Sequence, residues 1–331
     1  MKRAPRRIGF AQAIIGTLAV TPDAVLLRLA ELHGGGTLWV TASFKLFFIT
    51  AFCLLRPLTA GVPAIWRGIR AAPTHFCLAA LGQGLINMGY ALAFLTTEVA
   101  QALMLISLHP MWAAIAGRLI LKDKLPLRTA VALASALFAI LIIFVPPAVI
   151  GDDGQAVSGP RNTVHGNIIA LATGLCLAET IIVNRHASMH RPASVEIAME
   201  AAAGIGSLVC GVVTLAIACT LNASTPADEF ASLRAAFWPL VAADGLCIAT
   251  CTVLATVFAP RHLLSAEVGL VLLLEQVLSP VWTYLGVDEV PSKWTMGGGG
   301  LLVVTLFLHE GAALVEERRA AKTAAVSSTG Q

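Results

Sequence analysis

Apolar segments of helix length, separated by short polar stretches, recur ten times along the chain. An α-helix of roughly 20 residues spans the hydrocarbon core of a bilayer, so each segment is long enough to cross a membrane. The pattern predicts spans at 8–29, 37–56, 74–96, 99–121, 126–146, 164–187, 195–221, 235–259, 263–286 and 293–310. It therefore indicates an all-α integral membrane protein with ten transmembrane helices.

The longest polar break, 147–163, divides the chain into two units. Residues 1–146 form a first five-helix unit, which is predicted to end at the Pro146–Pro147 pair, and residues 164–310 form a second. Between them lies an external connecting loop, and 311–331 is a cytoplasmic tail whose composition is typical of disorder. Five spans per unit give the units opposite orientations, so the fold predicted is two inverted five-helix repeats.

A shift of 166 residues aligns the two units. It pairs His109 with Glu275 and Asp123 with Glu289, along with a few identical apolar or small residues. The identities are sparse, and they gain weight because they agree with the five-plus-five division of spans.

Composition supports a membrane protein and narrows the classes of function. The chain is 57% hydrophobic and 12% charged, whereas soluble domains are about 25% charged. The net charge of +3 comes from basic residues scattered between apolar segments, which does not favour a nucleic-acid partner. The seven cysteines lie in apolar stretches without a Cys-x-x-Cys pair, so neither a disulfide framework nor a metal site is predicted.

The distribution of lysine and arginine predicts the orientation. With the N-terminus in the cytoplasm and ten alternating spans, seventeen basic residues fall in cytoplasmic segments and three in outer loops. Cytoplasmic segments of membrane proteins are enriched in these residues, so both termini are expected inside the cell. The first span begins after a basic segment as a signal peptide would, but its apolar run is too long for one.

One carboxylate stands near the middle of the ninth span, at Glu275. A charged carboxylate there costs about 2.5–3.5 kcal/mol on insertion scales, so it is expected to face a cavity or a partner. In a continuous helix Glu275, Ser279 and Trp282 share one face. This face is the leading candidate for a substrate pathway.

Two further groups of polar and aromatic residues could line the same pathway. Gln83, Asn87 and Tyr90 share one face of the third span, where they serve either as a pathway lining or as hydrogen-bonding contacts between helices. In the fourth span, His109 and Trp112 flank Pro110, whose ring kinks a helix and frees a backbone carbonyl. His109 is either a packed, hydrogen-bonded residue or a substrate or proton site.

Charged residues within other spans are expected to find partners. Lys45 and Glu179 lie near mid-span and are predicted to form an ion pair or to contact substrate. Asp23, near the outer surface, is expected to be solvated at the interface, to pair with Arg28 or to act in a gate. Asp244, in the eighth span, has no evident partner nearby in the sequence.

Several enzymatic motifs are absent from the sequence. There is no Ser-His-Asp order, no His-Glu-x-x-His and no Walker sequence, so ATP hydrolysis within this chain is excluded. The run Gly297–Gly300 lacks the strand-loop-helix context of a phosphate loop and is interpreted as a helix-packing surface. No cofactor is predicted.

The end of each unit resembles the drug/metabolite transporter superfamily, specifically its EamA-like two-repeat family. In the first unit the resemblance covers Ala100, Pro110, the Lys122–Lys124 turn and the helix over 127–144. In the second unit it covers Ala266, Glu275, the Asp288–Pro291 turn and the helix over 293–310. Asp123 and Glu289 match the acidic turn residue and Lys45 the basic residue of the second helix, but Gln276 replaces the family's proline after Glu275.

The resemblance implies a ten-helix transporter with a central pathway that opens to one side at a time. From it and the candidate residues we expect a secondary active exporter of a small amphipathic metabolite in the inner (plasma) membrane, with proton coupling left open. The expected partners are this substrate and the lipid bilayer, with a homodimer also left open. A membrane-embedded enzyme that uses intramembrane carboxylates and a non-transporting receptor or scaffold are the alternatives.

Overall fold

The computed structural model describes residues 3–34, 37–96, 99–122, 126–150, 164–190, 195–222, 224–231, 233–287, 294, 296–309 and 312. Within these ranges the chain is helical apart from turns and short connections, and it contains no β-strand. The predicted all-α class is confirmed. Asp123, Glu289, loop residues 151–163 and the tail apart from Ala312 lie outside the described residues.

The α-helices are numbered here in chain order. They are α1 Arg3–Val20, α2 Asp23–Gly34, α3 Leu38–Ala60, α4 Val62–Ala71, α5 Pro73–Thr96, α6 Val99–Ile106, α7 His109–Ile120, α8 Leu127–Ile150, α9 Val164–His190, α10 Val195–Asn222, α11 Pro226–Ala231, α12 Phe237–Cys251, α13 Ser265–Leu272, α14 Leu274–Val287 and α15 Met296–His309. A π-helical stretch, Thr252–Phe258, and a 3₁₀ turn, Ala259–Arg261, continue α12.

Seven helical segments of the described chain are long and apolar enough to cross a membrane. They are Arg6–Gly34, Leu38–Ala60, Pro73–Thr96, His165–Met189, Val195–Asn222, Phe237–Arg261 and Ser265–Gly286. Two apolar stretches are shorter: Leu127–Ile142, which is the first part of α8, and Met296–His309, which is α15. The outside of the bundle carries large apolar side chains, such as Leu127 and Phe307, which are 81% and 75% exposed. Lys45 and Asp244, by contrast, are both 0% exposed. An apolar exterior around buried charges is the arrangement of a membrane-embedded protein.

The fourth and ninth predicted spans are interrupted: the kink that Pro110 predicts occurs in the fourth, whereas the continuous helix assumed around Glu275 is broken at Leu273. In the fourth, α6 ends at Ile106 and α7 begins at His109. Pro110 accounts for this break, because its ring displaces the carbonyl of Ile106 and it has no amide hydrogen to donate. His109 Nδ1 lies 3.0 Å from that carbonyl oxygen and satisfies it.

The break in the ninth span falls between α13 and α14, directly before Glu275. Helices α6 and α13 are both eight residues long, and their first residues, Val99 and Ser265, are 166 positions apart. The two interruptions therefore occur at the same place in the alignment of the two units. Gly269 of α13 lies against Pro110 of α7, so the interrupted helices also contact each other.

Two other predicted boundaries differ from the structure. The first span is divided at Thr21–Pro22 into α1 and α2. Helix α8 runs through the Pro146–Pro147 pair to Ile150 instead of ending there. Proline has the backbone φ of a helix, so a pair near a helix end removes hydrogen bonds without forcing the chain to turn.

Helix α10 packs against α3 and α5, and it approaches α5 through glycine. A Cβ atom built on Gly206 would lie 1.9 Å from the carbonyl oxygen of Ala80, and one on Gly84 would lie 2.5 Å from the carbonyl oxygen of Gly206. The two backbones are thus in direct contact, as small residues allow in membrane helix pairs. Of the run Gly297–Gly300, Gly299 has a described neighbour, Val277, whereas Gly297 and Gly300 have none within 4 Å of a Cβ position.

The substitution Gly206→Ala is expected to destabilise the protein by about 1–3 kcal/mol or more, because the methyl group would overlap a backbone atom and separate the helices. Thermal unfolding of the detergent-purified protein measures the effect. Gly300→Ala is the matched control, since it adds the same methyl group where the described chain leaves open space. Equal unfolding temperatures for the two variants would contradict the close contact of α5 and α10.

Candidate functional site

A small cavity lies between helices of both units, next to the interruption that precedes Glu275. Residues of α1, α5, α9, α12 with its π-helical continuation, α13 and α14 line it: Val20, Gln83, Ile86, Asn87, Tyr90, Leu177, Ile248, Cys251, Thr252, Thr256, Leu272 and Glu275. The volume that the centres of water molecules can occupy in it is about 30 Å³. A few waters fit in that space, whereas small-molecule sites usually measure about 300–1,000 Å³. The cavity therefore has room for water and is smaller than a typical small-molecule site.

Glu275 is the carboxylate of this cavity, and it is 4% exposed. It lies in the first turn of α14, two residues after the break at Leu273. The Tyr90 hydroxyl donates a long hydrogen bond of 3.4 Å to Glu275 Oε2. The predicted residues Glu275 and Tyr90, from opposite halves of the chain, are thus brought together.

The predicted amide residues form a hydrogen-bonded chain along one wall. Gln83 Nε2 donates to Asn87 Oδ1 at 3.3 Å and to Thr252 Oγ1 at 3.2 Å, and Thr256 Oγ1 donates to Gln83 Oε1 at 3.3 Å. Asn87 Nδ2 donates to Ser207 Oγ at 2.9 Å, which extends the chain to α10. The predicted hydrogen bonds between helices are therefore present, since these amides join three helical segments, and both amides also line the cavity.

Lys45 lies in a buried cluster of charges beside the cavity. Its Nζ atom is 2.5 Å from Asp23 Oδ1 and 3.3 Å from Asp244 Oδ2, and all three side chains are 0–1% exposed. The predicted pairs Lys45–Glu179 and Asp23–Arg28 are therefore wrong. Both predictions relied on the position of a charge within its own span, whereas the observed partners meet across α2, α3 and α12.

The cluster adjoins the cavity without lining it. Val20, three residues before Asp23, and Ile248, one helical turn after Asp244, both contribute to the cavity wall. Asp23 and Lys45 are close enough to Glu275 to act on it electrostatically. A change of charge in the cluster consequently changes the electrostatic potential at the Glu275 carboxylate.

The remaining predicted residues lie outside the cavity wall. Ser279 is buried on α14, and Trp282 is 43% exposed, with its indole Nε1 donating to Thr21 Oγ1 at 2.8 Å. His109 is buried, and Trp112 is partly buried. Glu179 is partly buried and accepts a hydrogen bond of 3.3 Å from Thr180 Oγ1. No group of three or more His, Cys, Asp or Glu side chains in the described ranges could hold a metal ion.

Sequence reasoning missed Thr252 and Thr256, which belong to the π-helical stretch and line the cavity. A π-helix widens the backbone spiral and is often found at functional sites. The available signal was two threonines four residues apart within an apolar span, the same spacing as that of Gln83 and Asn87.

Two ion-pair networks lie near helix ends that the sequence predicts to be cytoplasmic. Glu267 is 3.2 Å from Arg6 and 3.9 Å from Arg128, and Arg261 is 3.0 Å from Glu196 and 3.9 Å from Glu200. Glu200 also pairs with Arg56. Partial burial and the neighbouring Arg261 lower the pKa of His262, which favours the neutral imidazole beside these networks.

Comparison with known proteins shows the fold and no family. No family model and no curated protein matches the sequence. A solved structure, described only as the crystal structure of a protein, superposes with a TM-score of 0.62 over 91% of this chain and 98% of its own length, at 15% sequence identity. At this identity the likeness shows a shared fold over nearly the whole chain and nothing of activity. The fold and the apolar exterior together define an all-helical protein of membrane-embedded type.

Proposed function

We propose that this protein is a secondary active transporter that exports a small amphipathic metabolite through the cavity at Glu275. The observation that carries the proposal is a buried carboxylate that lines a water-sized cavity at an interrupted helix. Ionisable groups within a membrane usually mark the path of a substrate or an ion, and interrupted helices commonly form such sites in transporters.

The proposed architecture is ten membrane spans in two inverted repeats. The equivalent interruptions of α6–α7 and α13–α14 support it, and so does the packing. Helix α3 packs against α10, its proposed equivalent in the other repeat. Helix α5 packs against α9, and their proposed equivalents, α12 and α1, also pack against each other. The resemblance to the EamA-like family points to the same arrangement. Inverted repeats form a site at their interface, which is where this cavity lies.

The lining indicates the chemical class of the substrate. Glu275 offers an anionic contact, and the ring of Tyr90 offers a face that attracts cations. Val20, Ile86 and Leu177 supply apolar surface on other sides. A compact molecule with an amine and an apolar part fits this combination best.

Alternating access requires that the pathway be closed at one end while the other opens. The ion pairs of Glu267 and Glu200 join helices near the arginine-rich end, and Trp282 bonds to Thr21 near the other. Together with the small cavity, these contacts describe a conformation closed at both ends. Opening would break one set of contacts and enlarge the cavity.

Flux through proteoliposomes tests the proposal. Labelled amphipathic amines should exchange across vesicles that contain the purified protein, and competition among amines, carboxylates and sugars should favour the amines. A membrane-embedded enzyme would instead alter the compound chemically, and a receptor would bind it without flux. Either outcome, with protein correctly folded and inserted, would overturn the proposal.

The proposed topology gives a separate prediction. Reporter fusions after Gln155 and after Asn222 are expected to be external, and a fusion after Arg191 is expected to be cytoplasmic. A ten-span chain with both ends inside requires this pattern, because each site follows a different span. A cytoplasmic signal after Gln155 would contradict the number of spans in the first unit and with it the inverted repeat.

A further inference from the structure

The cluster of Asp23, Lys45 and Asp244 has unequal charges. Two carboxylates share a single ammonium group in a place where each side chain is at most 1% exposed. With all three groups ionised, the cluster would carry one net negative charge inside the bundle. A buried charge without a partner is strongly unfavourable, and such groups usually become neutral by exchanging a proton.

The hydrogen bonding of the cluster shows the same imbalance. Asp23 Oδ2 and Asp244 Oδ1 are buried, and neither has a hydrogen-bond partner among the described residues. An ionised carboxylate needs hydrogen-bond donors for both of its oxygens when it is buried. A proton on one carboxyl would supply the missing donor between the two aspartates.

The surroundings of Asp244 leave the imbalance uncorrected. Lys45 faces it from α3 and Asp23 from α2, while Cys247 and Cys251 lie on its own helix. Across the cavity, α14 and α5 present Glu275 and Tyr90, a second acid and a neutral phenol. Helix α1 also packs against α12, but its described arginine contact, between Arg6 and Glu267, is at its N-terminal end. Lys45 is the described ion-pair partner of Asp244, and Arg28, further along α2, lies 3.8 Å from Glu31.

We propose that the Asp23–Asp244 pair binds one exchangeable proton and that this proton, not one on Glu275, drives transport. The inference rests on the proposed transport function and adds its coupling ion. With the proton bound the cluster is neutral. Release of the proton to water leaves one negative charge beside the cavity, which attracts a cationic substrate to Glu275. Rebinding of a proton from the opposite side removes that attraction, so proton and substrate move in opposite directions.

Infrared spectroscopy of the purified protein in lipid nanodiscs tests the proton site without a substrate. A protonated carboxyl has a carbonyl stretch that shifts in D₂O and disappears on ionisation. The wild type should show such bands near neutral pH, and Asp23→Asn and Asp244→Asn should each lose one component, the component that belongs to the aspartate pair. Either single change leaves one aspartate with one lysine, which is a neutral pair that needs no proton.

Glu275→Gln is the matched control, and it should retain the component. Asp244→Glu should shift the band instead of removing it, which keeps the test decisive if an asparagine variant fails to fold. Loss of the component in Glu275→Gln alone, or its absence in the wild type together with stabilisation by Na⁺, would overturn the proposal. If the component is found in a protein that shows no flux, the proton site stands and the transport function fails.

Discussion

Replacement of Glu275 by glutamine is expected to reduce flux of an amphipathic amine by about 10- to 100-fold, the loss that corresponds to one charge-assisted contact. Glutamine keeps the size of the side chain and can still accept the hydrogen bond from Tyr90. The variant should therefore fold and insert as the wild type does. Initial rates of uptake into proteoliposomes at several amine concentrations measure the effect.

Two comparisons separate a direct role of Glu275 from a general one. Glu31→Gln makes the same chemical change on α2, in a side chain that is 29% exposed and pairs with Arg28, and flux should stay close to that of the wild type. The remaining flux of Glu275→Gln should still respond to a proton gradient, because the proposed proton site lies at Asp23 and Asp244. Wild-type flux in a well-folded Glu275→Gln protein would remove this residue from the mechanism.

Substitution of Lys45 by methionine is expected to cause the largest loss of stability, about 3–5 kcal/mol, because it leaves two buried carboxylates without their cation. Thermal unfolding in detergent at neutral pH measures this loss. Lowering the pH should recover part of the stability, because each proton taken up neutralises one of the buried carboxylates. The wild type should depend on pH far less over the same range.

The rescue of Lys45→Met identifies its partners. A triple variant that combines Lys45→Met with Asp23→Asn and Asp244→Asn has no buried carboxylate left without a cation in this cluster. It should recover most of the unfolding temperature that Lys45→Met loses. The combination with Glu275→Gln should not, because Glu275 belongs to the cavity and makes no ion pair with Lys45 in the structure. Rescue by Glu275→Gln alone would contradict the observed arrangement of charges.

Hydropathy was sufficient to predict the helical class and the position of most helices, because apolar length is a local property of the sequence. The helix breaks were harder to predict. Pro110 predicted a kink in the fourth span. At the break in the ninth span, by contrast, the residues are Leu273 and Leu274, which are good helix formers. That break is not encoded by the residues at which it occurs, and the alignment with the fourth span was the one available indication.

The sequence predicted the residues of the candidate site but not the contacts between them. Glu275, Tyr90, Gln83 and Asn87 were each identified as polar residues in apolar spans, and the structure places them around one cavity. The partners of Lys45 were wrong, because an ion pair between helices depends on how the helices pack, which spacing within one helix does not reveal. Lys45 and Asp244 meet although 199 positions separate them.

Accessibility of Cys251 from the two sides of the membrane tests alternating access at this cavity most directly. Cys251 lines the cavity, whereas Cys53 is 1% exposed in the hydrophobic core and serves as the control. Variants that retain one or the other cysteine are treated with an impermeant thiol reagent in right-side-out and in inside-out vesicles. Alternating access predicts that Cys251 reacts from both sides, more slowly when an amphipathic amine is present, and that Cys53 reacts from neither. Failure of Cys251 to react from either side, or reaction from one side alone under every proton gradient, would contradict a pathway that opens alternately at Glu275.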